Sequence, residues 1–205
     1  MELTTEEKAG LNTALNEASW LAMKIDEGSR RATLLMDVLT LPADGPAPTD
    51  STVTLELREL SRIVGSYRRG LWNDPDADVL PLTVRELEVV IHDCGACPVY
   101  GWEFLDPPEE NWSDWRHRLS LDIALSPAPG AHVLELFQET RQGQLHHLDV
   151  RFWFDELRIL DPNDEEMALA DFIRGGIRWW DAMYAGDPRT ASSGIVPGGA
   201  IESKA

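Results

Sequence analysis

Apolar residues in this chain recur mostly at every second position. Val53, Leu55 and Leu57 alternate with Thr54, Glu56 and Arg58, and Leu119, Leu121, Ile123 and Leu125 alternate with Ser120, Asp122 and Ala124. Ala32, Leu34, Met36 and Val38 repeat the pattern. A period of two puts one set of side chains on one face of a strand, so each run predicts a half-buried strand. Trp20 to Ile25 and Ala32 to Leu41, separated by Glu27-Gly28-Ser29, predict two strands joined by a turn. Arg62 to Tyr67 follows the Val53 strand, with Gly65 suited to a bulge. Leu82 to Ile91, dense in aliphatic and β-branched residues, predicts a further strand, and Val99 to Leu105 another. His132 to Glu139, the turn Arg141-Gln142-Gly143 and Leu145 to Phe154 predict a hairpin. Its Leu148, Val150, Phe152 and Phe154 face the core, opposite Asp149, Arg151, Trp153 and Asp155.

The period lengthens only near the two ends. Thr4-x-x-Glu7 fits a capping box, and Leu11, Ala14, Leu15 and Ala18 then form a narrow helical stripe suited to lying on a sheet. A second helix is expected between Glu165 and Tyr184, with Leu169, Phe172, Ile173, Ile177, Trp180 and Tyr184 on one side. Gly175-Gly176 is the place for it to break or bend. From residue 188 onward the composition turns to Ser, Gly and Ala, which predicts one domain over 1–187 and a flexible tail over 188–205. About eight or nine short strands at even spacing, with helices at the ends, predict an α+β fold. It is expected to be mainly antiparallel, a curved sheet or sandwich with an N-terminal and a C-terminal helix. Strand–helix alternation is missing, which excludes a doubly wound nucleotide-binding sheet.

Composition narrows the function classes. The 205 residues carry 36 acids against 18 bases, a formal charge of −18. The surplus is spread along the chain, which excludes direct nucleic-acid binding and attraction to an anionic membrane, since both require clustered cations. No apolar run approaches the ~18 residues of a membrane helix. The acidic start Met1-Glu2-Leu3-Thr4-Thr5-Glu6-Glu7 lacks a signal-peptide pattern, so a cytoplasmic protein is expected. Lys8, Lys24 and Lys204 are the only lysines. A basic complement made almost wholly of arginine predicts bidentate pairing with carboxylates inside the fold.

Candidate chemistry is sparse. Both cysteines fall within His92-Asp93-Cys94-Gly95-Ala96-Cys97. His92, Cys94 and Cys97 have the donor types of a zinc site, with a fourth ligand available from His117, His132, His146 or His147. The same Cys-x-x-Cys spacing serves thiol redox chemistry, or a tight turn whose cysteines pack as small hydrophobes. His146 and His147 fall on opposite faces of a strand, which weakens a shared metal site. Phosphate-binding glycine loops, zinc-protease helices and nucleophile elbows are all absent. Of eight tryptophans, Trp72, Trp112 and Trp115 sit among Asp74, Asp76, Glu109, Glu110 and Asp114 in turn-rich segments, a pattern suited to a protein-binding patch. The reading that joins these features is a non-enzymatic acidic module without cofactor. It would act as an immunity protein or inhibitor docking on a basic partner such as a nucleic-acid enzyme. The alternative is a small-molecule binder or enzyme with a pocket between sheet and helices, with a zinc or thiol site at His92, Cys94 and Cys97.

Overall fold

The computed structural model describes residues 3–70, 74, 76–94, 97–105, 116–140, 145–193 and 195. Two antiparallel sheets form the body, as the alternating pattern predicts. The first runs β11 (Glu166–Met167), β10 (Glu156–Leu160), β3 (Thr52–Arg58), β2 (Arg31–Asp37), β1 (Ser19–Asp26). The second runs β6 (Cys97–Leu105), β8 (His132–Thr140), β9 (His146–Phe154), β4 (Arg62–Arg69), β5 (Asp78–Val79), with β7 (Leu121–Ala124) also paired to β4. The sheets meet where β1 and β6 pair at only two positions, Ser19 with Pro98 and Trp20 with Cys97. Eleven strands exceed the expected number because β5 and β11 are two-residue pieces.

At the opposite side the sheets share a ribbon. β3 pairs with β10 and β4 with β9, while β3 leads into β4 and β9 into β10. One long antiparallel pair therefore passes through both sheets and bends between them, the device by which packed sheets make a corner. The bend is built from backbone. Glu59 takes a left-handed φ of 54°, and Ser61 N donates to Trp153 O at 2.9 Å while Asp155 N donates to Arg58 O at 3.2 Å. Gly130 is seated on the corner, its N–H donating to Ser61 Oγ at 2.8 Å. A Cβ at Gly130 would lie 2.7 Å from Phe154 O, so only glycine fits.

The inner faces and the helices share one apolar core that includes Leu11, Leu55, Leu87, Phe152 and Phe172. Helix α1 (Thr5–Leu15) starts at the expected capping box: Glu7 N donates to Thr4 Oγ1 at 3.1 Å and Thr4 N to Glu7 Oε2 at 2.8 Å. It lies chiefly against the C-terminal helix rather than flat on a sheet. That helix, the last of three described α-helices (Leu169–Tyr184), runs unbroken through Gly175-Gly176. The glycines mark close approach instead of a bend. A Cβ at Gly176 would come within 2.7 Å of Ala14 Cβ, and one at Gly10 within 2.6 Å of Ile173 Cγ2. Trp180 Nε1 then reaches Thr13 O at 3.1 Å.

Several expectations are corrected. Leu82 to Ile91 is helical: α2 spans Val84–Cys94, and the C-terminal helix is accordingly α3. The overlooked signals are a second capping box, in which Glu86 N donates to Thr83 Oγ1 and Thr83 N to Glu86 Oε2, and the 4–3 spacing of buried Leu87, Ile91 and Cys94. Gly65 pairs in unbroken register with Val150 and Leu121, so β4 has no bulge there. Asp149, Arg151 and Trp153, placed opposite the core face, are themselves buried, as is Glu56 in β3. The tail expected from 188 is docked at its start. Pro188–Ser193 forms a 3₁₀ turn with Thr190 buried, and Ile195 packs beside Trp179 and Met183. No described helix is long and apolar enough to cross a membrane.

The α1–α3 contact carries a prediction. Gly176→Ala raises helix propensity by about 1 kcal/mol, but its methyl meets helix α1 backbone, and such overpacking costs about 1–3 kcal/mol. The clash should win, lowering the thermal midpoint by a few degrees in scanning calorimetry.

Candidate functional site

The two faces of the β8–β9–β4 sheet hold different chemistry. On the inner face the rows begin apolar, with Ile63 beside Phe152 and Phe152 beside Leu134. They end polar. Tyr67 pairs with Leu148, Leu148 with Gln138, and Arg69 with His146. Tyr67 and His146, diagonal neighbours, stack with centroids 5.1 Å apart and planes 16° apart. Helix α2 covers this end, and between helix and sheet a cavity of about 320 Å³ opens, lined by Tyr67, Val90, Asp93, Cys94, Gln138, His146 and Leu148. Burial pushes the Tyr67 phenol above its ordinary pKa. Asp93 is exposed and has no ion-pair or hydrogen-bond partner among the described residues.

The outer face carries a ladder of charge. Arg68, His147 and Glu139 form one row, Ser66, Asp149 and Phe137 the next, Val64, Arg151 and Glu135 the third. Arg68 donates to Asp149 Oδ2 at 2.8 Å and Arg151 pairs with Glu135. The guanidiniums of Arg62 and Arg151 lie 5.6 and 5.8 Å from the Trp153 ring centre, cation–π range. His147 is fully buried, with Nε2 3.6 Å from Glu139 Oε1. Its pKa is lowered by burial, which Glu139 opposes. Asp149 is pushed up to about 6, mainly by burial, with the Arg68 cation pulling the other way. Each guanidinium has a carboxylate opposite it, so the ladder is internally neutralised. Its chemistry is that of strand pairing, and the cavity is the candidate site.

The sequence-nominated residues scatter. Asp74 and Asp76 share one turn before β5, where Asp76 N donates to Asp74 Oδ1 at 2.9 Å and Asp76 is exposed. Trp72, Glu109, Glu110, Trp112, Asp114 and Trp115 lie outside the described residues. His92 is exposed at the end of α2 and does not line the cavity. Cys94 does line it and is disulfide-bonded, with no cysteine left free; the chain's one other cysteine is Cys97. A disulfide sulfur offers zinc no thiolate. Among the described residues no group of three or more His, Cys, Asp or Glu side chains is placed to hold a metal. His132 sits at the other end of β8, accepting from Leu3 N at 3.4 Å. Tyr67 and Gln138 were not nominated for this pocket, and His146 only as a possible fourth zinc ligand beside Cys94. Gln138, a polar residue continuing the Leu134–Leu136 alternation on the inward face, was the available signal.

The expected pairing of arginine is present. Arg30, Arg31, Arg58, Arg62, Arg68, Arg69, Arg151, Arg158, Arg174 and Arg189 each lie within salt-bridge distance of a carboxylate. Arg178 donates instead to Leu41 O. Glu6, Glu27, Asp76, Asp93, Asp164 and Asp181 are exposed without a basic partner among the described residues. Comparison with models of protein families, with curated proteins and with solved structures finds no match.

The ladder predicts a pH dependence. An acid whose folded pKa is raised binds more protons folded than unfolded, so its contribution to stability falls as pH rises from about 4 to about 6. His147, with a lowered pKa, contributes the opposite slope, with stability lost as pH falls below its ordinary value of 6.5. Comparing wild type with Asp149→Asn removes the shared background. In urea titrations across this range the wild type should hold its largest advantage near pH 4 and lose part of it by pH 6.5.

Proposed function

We propose that this protein is a non-enzymatic binding module that docks an acidic exterior on a basic protein partner. The observation that supports it is the disposition of charge. Ten arginines lie against carboxylates, whereas acids such as Glu27, Asp76 and Asp181 face solvent without a basic partner among the described residues. A net charge of −18 then leaves acids in excess of bases facing solvent. Such a field speeds encounter with a cationic surface and repels anionic competitors. If the partner is a nucleic-acid enzyme, surface carboxylates would occupy the places where phosphates bind, and the module would act as its inhibitor or immunity protein.

In the cytoplasm, the setting that goes with this reading, reducing systems oppose a disulfide at Cys94. The alternative of a small-molecule binder with a pocket between sheet and helix is favoured by one observation, the cavity beside Cys94.

Affinity capture with the intact chain, followed by equilibrium titration against the purified partner, tests the main reading. The expected partner is strongly basic, and its affinity falls by orders of magnitude between about 0.1 M and about 1 M salt, as the screening length drops from about 10 to about 3 Å. A neutral or acidic partner, or affinity indifferent to salt, would overturn it.

A further inference from the structure

We infer that the cavity at the open end of the core is a binding site for a small organic cation. Its volume of about 320 Å³ is at the lower end of the range for small-ligand pockets, about 300–1,000 Å³. Its walls combine two kinds of surface. Val90 and Leu148 are apolar and continuous with the core, and Tyr67 stacked on His146 supplies aromatic surface at the rim. Flat apolar bodies are held by walls of this kind, and a cation beside a tyrosine ring is attracted by its quadrupole.

The sign of the charge follows from three further features. Asp93 lines the cavity as an exposed carboxylate with no partner among the described residues. It belongs to the last turn of α2, where the unsatisfied carbonyls of a helix end carry partial negative charge. Among the described lining residues there is no lysine or arginine, and the molecule as a whole carries −18. All three favour a cation over a neutral or anionic occupant. Gln138, 2% exposed on the inner wall, adds an amide that can orient an ammonium group. The site is distinct from the protein-docking exterior and needs no macromolecular partner, so either reading can fail while the other stands.

Isothermal titration of the intact, oxidised protein with benzylammonium, benzyl alcohol and benzoate tests the assignment. Benzylammonium should bind with a Kd of about 1 mM or tighter, about tenfold more tightly than benzyl alcohol, with benzoate weaker still. Asp93→Asn, a change at an exposed position, should weaken benzylammonium by about fivefold and leave benzyl alcohol unchanged. Tyr67→Phe should retain binding, Tyr67→Ala should lose it, and His92→Gln, one residue away but outside the lining, should change nothing. The inference is overturned by absence of benzylammonium binding at about 10 mM, by alcohol or benzoate binding equally well, or by an Asp93→Asn affinity equal to wild type.

Discussion

The architecture depends on one ribbon serving two sheets. β3 with β10 and β4 with β9 are a single antiparallel pair that bends at Glu59 and Asp155. Because hydrogen bonding continues on both sides of the bend, neither sheet can shift without its neighbour. Their inner faces are thereby committed to one core. The constraint also explains why the corner tolerates so little substitution space: Gly130 lies against Phe154 backbone, and Ser61 lends its hydroxyl to the Gly130 N–H.

At the other side the sheets are barely joined. β1 and β6 pair over two positions and then diverge, leaving a free edge on β1 and a gap toward the end of the β8–β9–β4 face. Helix α2 fills that gap. Its Leu87 and Ile91 enter the core, and Glu88 Oε1 accepts from Ile25 N at 2.7 Å, satisfying a donor that no strand reaches. A helix laid over a splayed seam does not close it to the end, and the cavity lies where Val90 and Cys94 face Tyr67 and Leu148. The pocket is a consequence of the topology, and its lining is where polar residues replace the core's apolar ones.

Charge is divided between two roles. The buried ladder of Arg68, Asp149, Arg151 and Glu135 is matched cation to anion across β4, β9 and β8. Removing one partner of a buried pair is costly because the other is left uncompensated, so the ladder penalises a slipped register. Outside, Glu6, Glu27, Asp76, Asp93, Asp164 and Asp181 have no such partner among the described residues. A protein with twice as many acids as bases carries a negative net charge at every pH where its carboxylates are ionised.

The local patterns carried much of this. Alternation at Val53, Leu55 and Leu57, the antiparallel pairing of β8 with β9 and the capping box at Thr4 and Glu7 are short-range signals, and each forms as read because neighbouring residues suffice to specify it; the turn expected at 141–143 lies outside the described residues. The antiparallel α+β class and the pairing of arginine with carboxylate were legible for the same reason. Helix α2 was misread because its aliphatic residues also suit a buried strand, although the Thr83–Glu86 capping box and the spacing of Leu87, Ile91 and Cys94 marked a helix. Gly175 and Gly176, breakers by propensity, became contact points once α3 was laid against Thr40 and Leu41 on one side and α1 on the other. Burial of Asp149 and Arg151 and the gathering of Tyr67, Asp93, Gln138 and His146 around one cavity join residues far apart in the chain. Composition and periodicity of one segment determine its local geometry and the sign of the molecule's field. Which faces become inaccessible, and which side chains meet, is settled only when the sheets pack, because burial is a property of the neighbours and not of the residue.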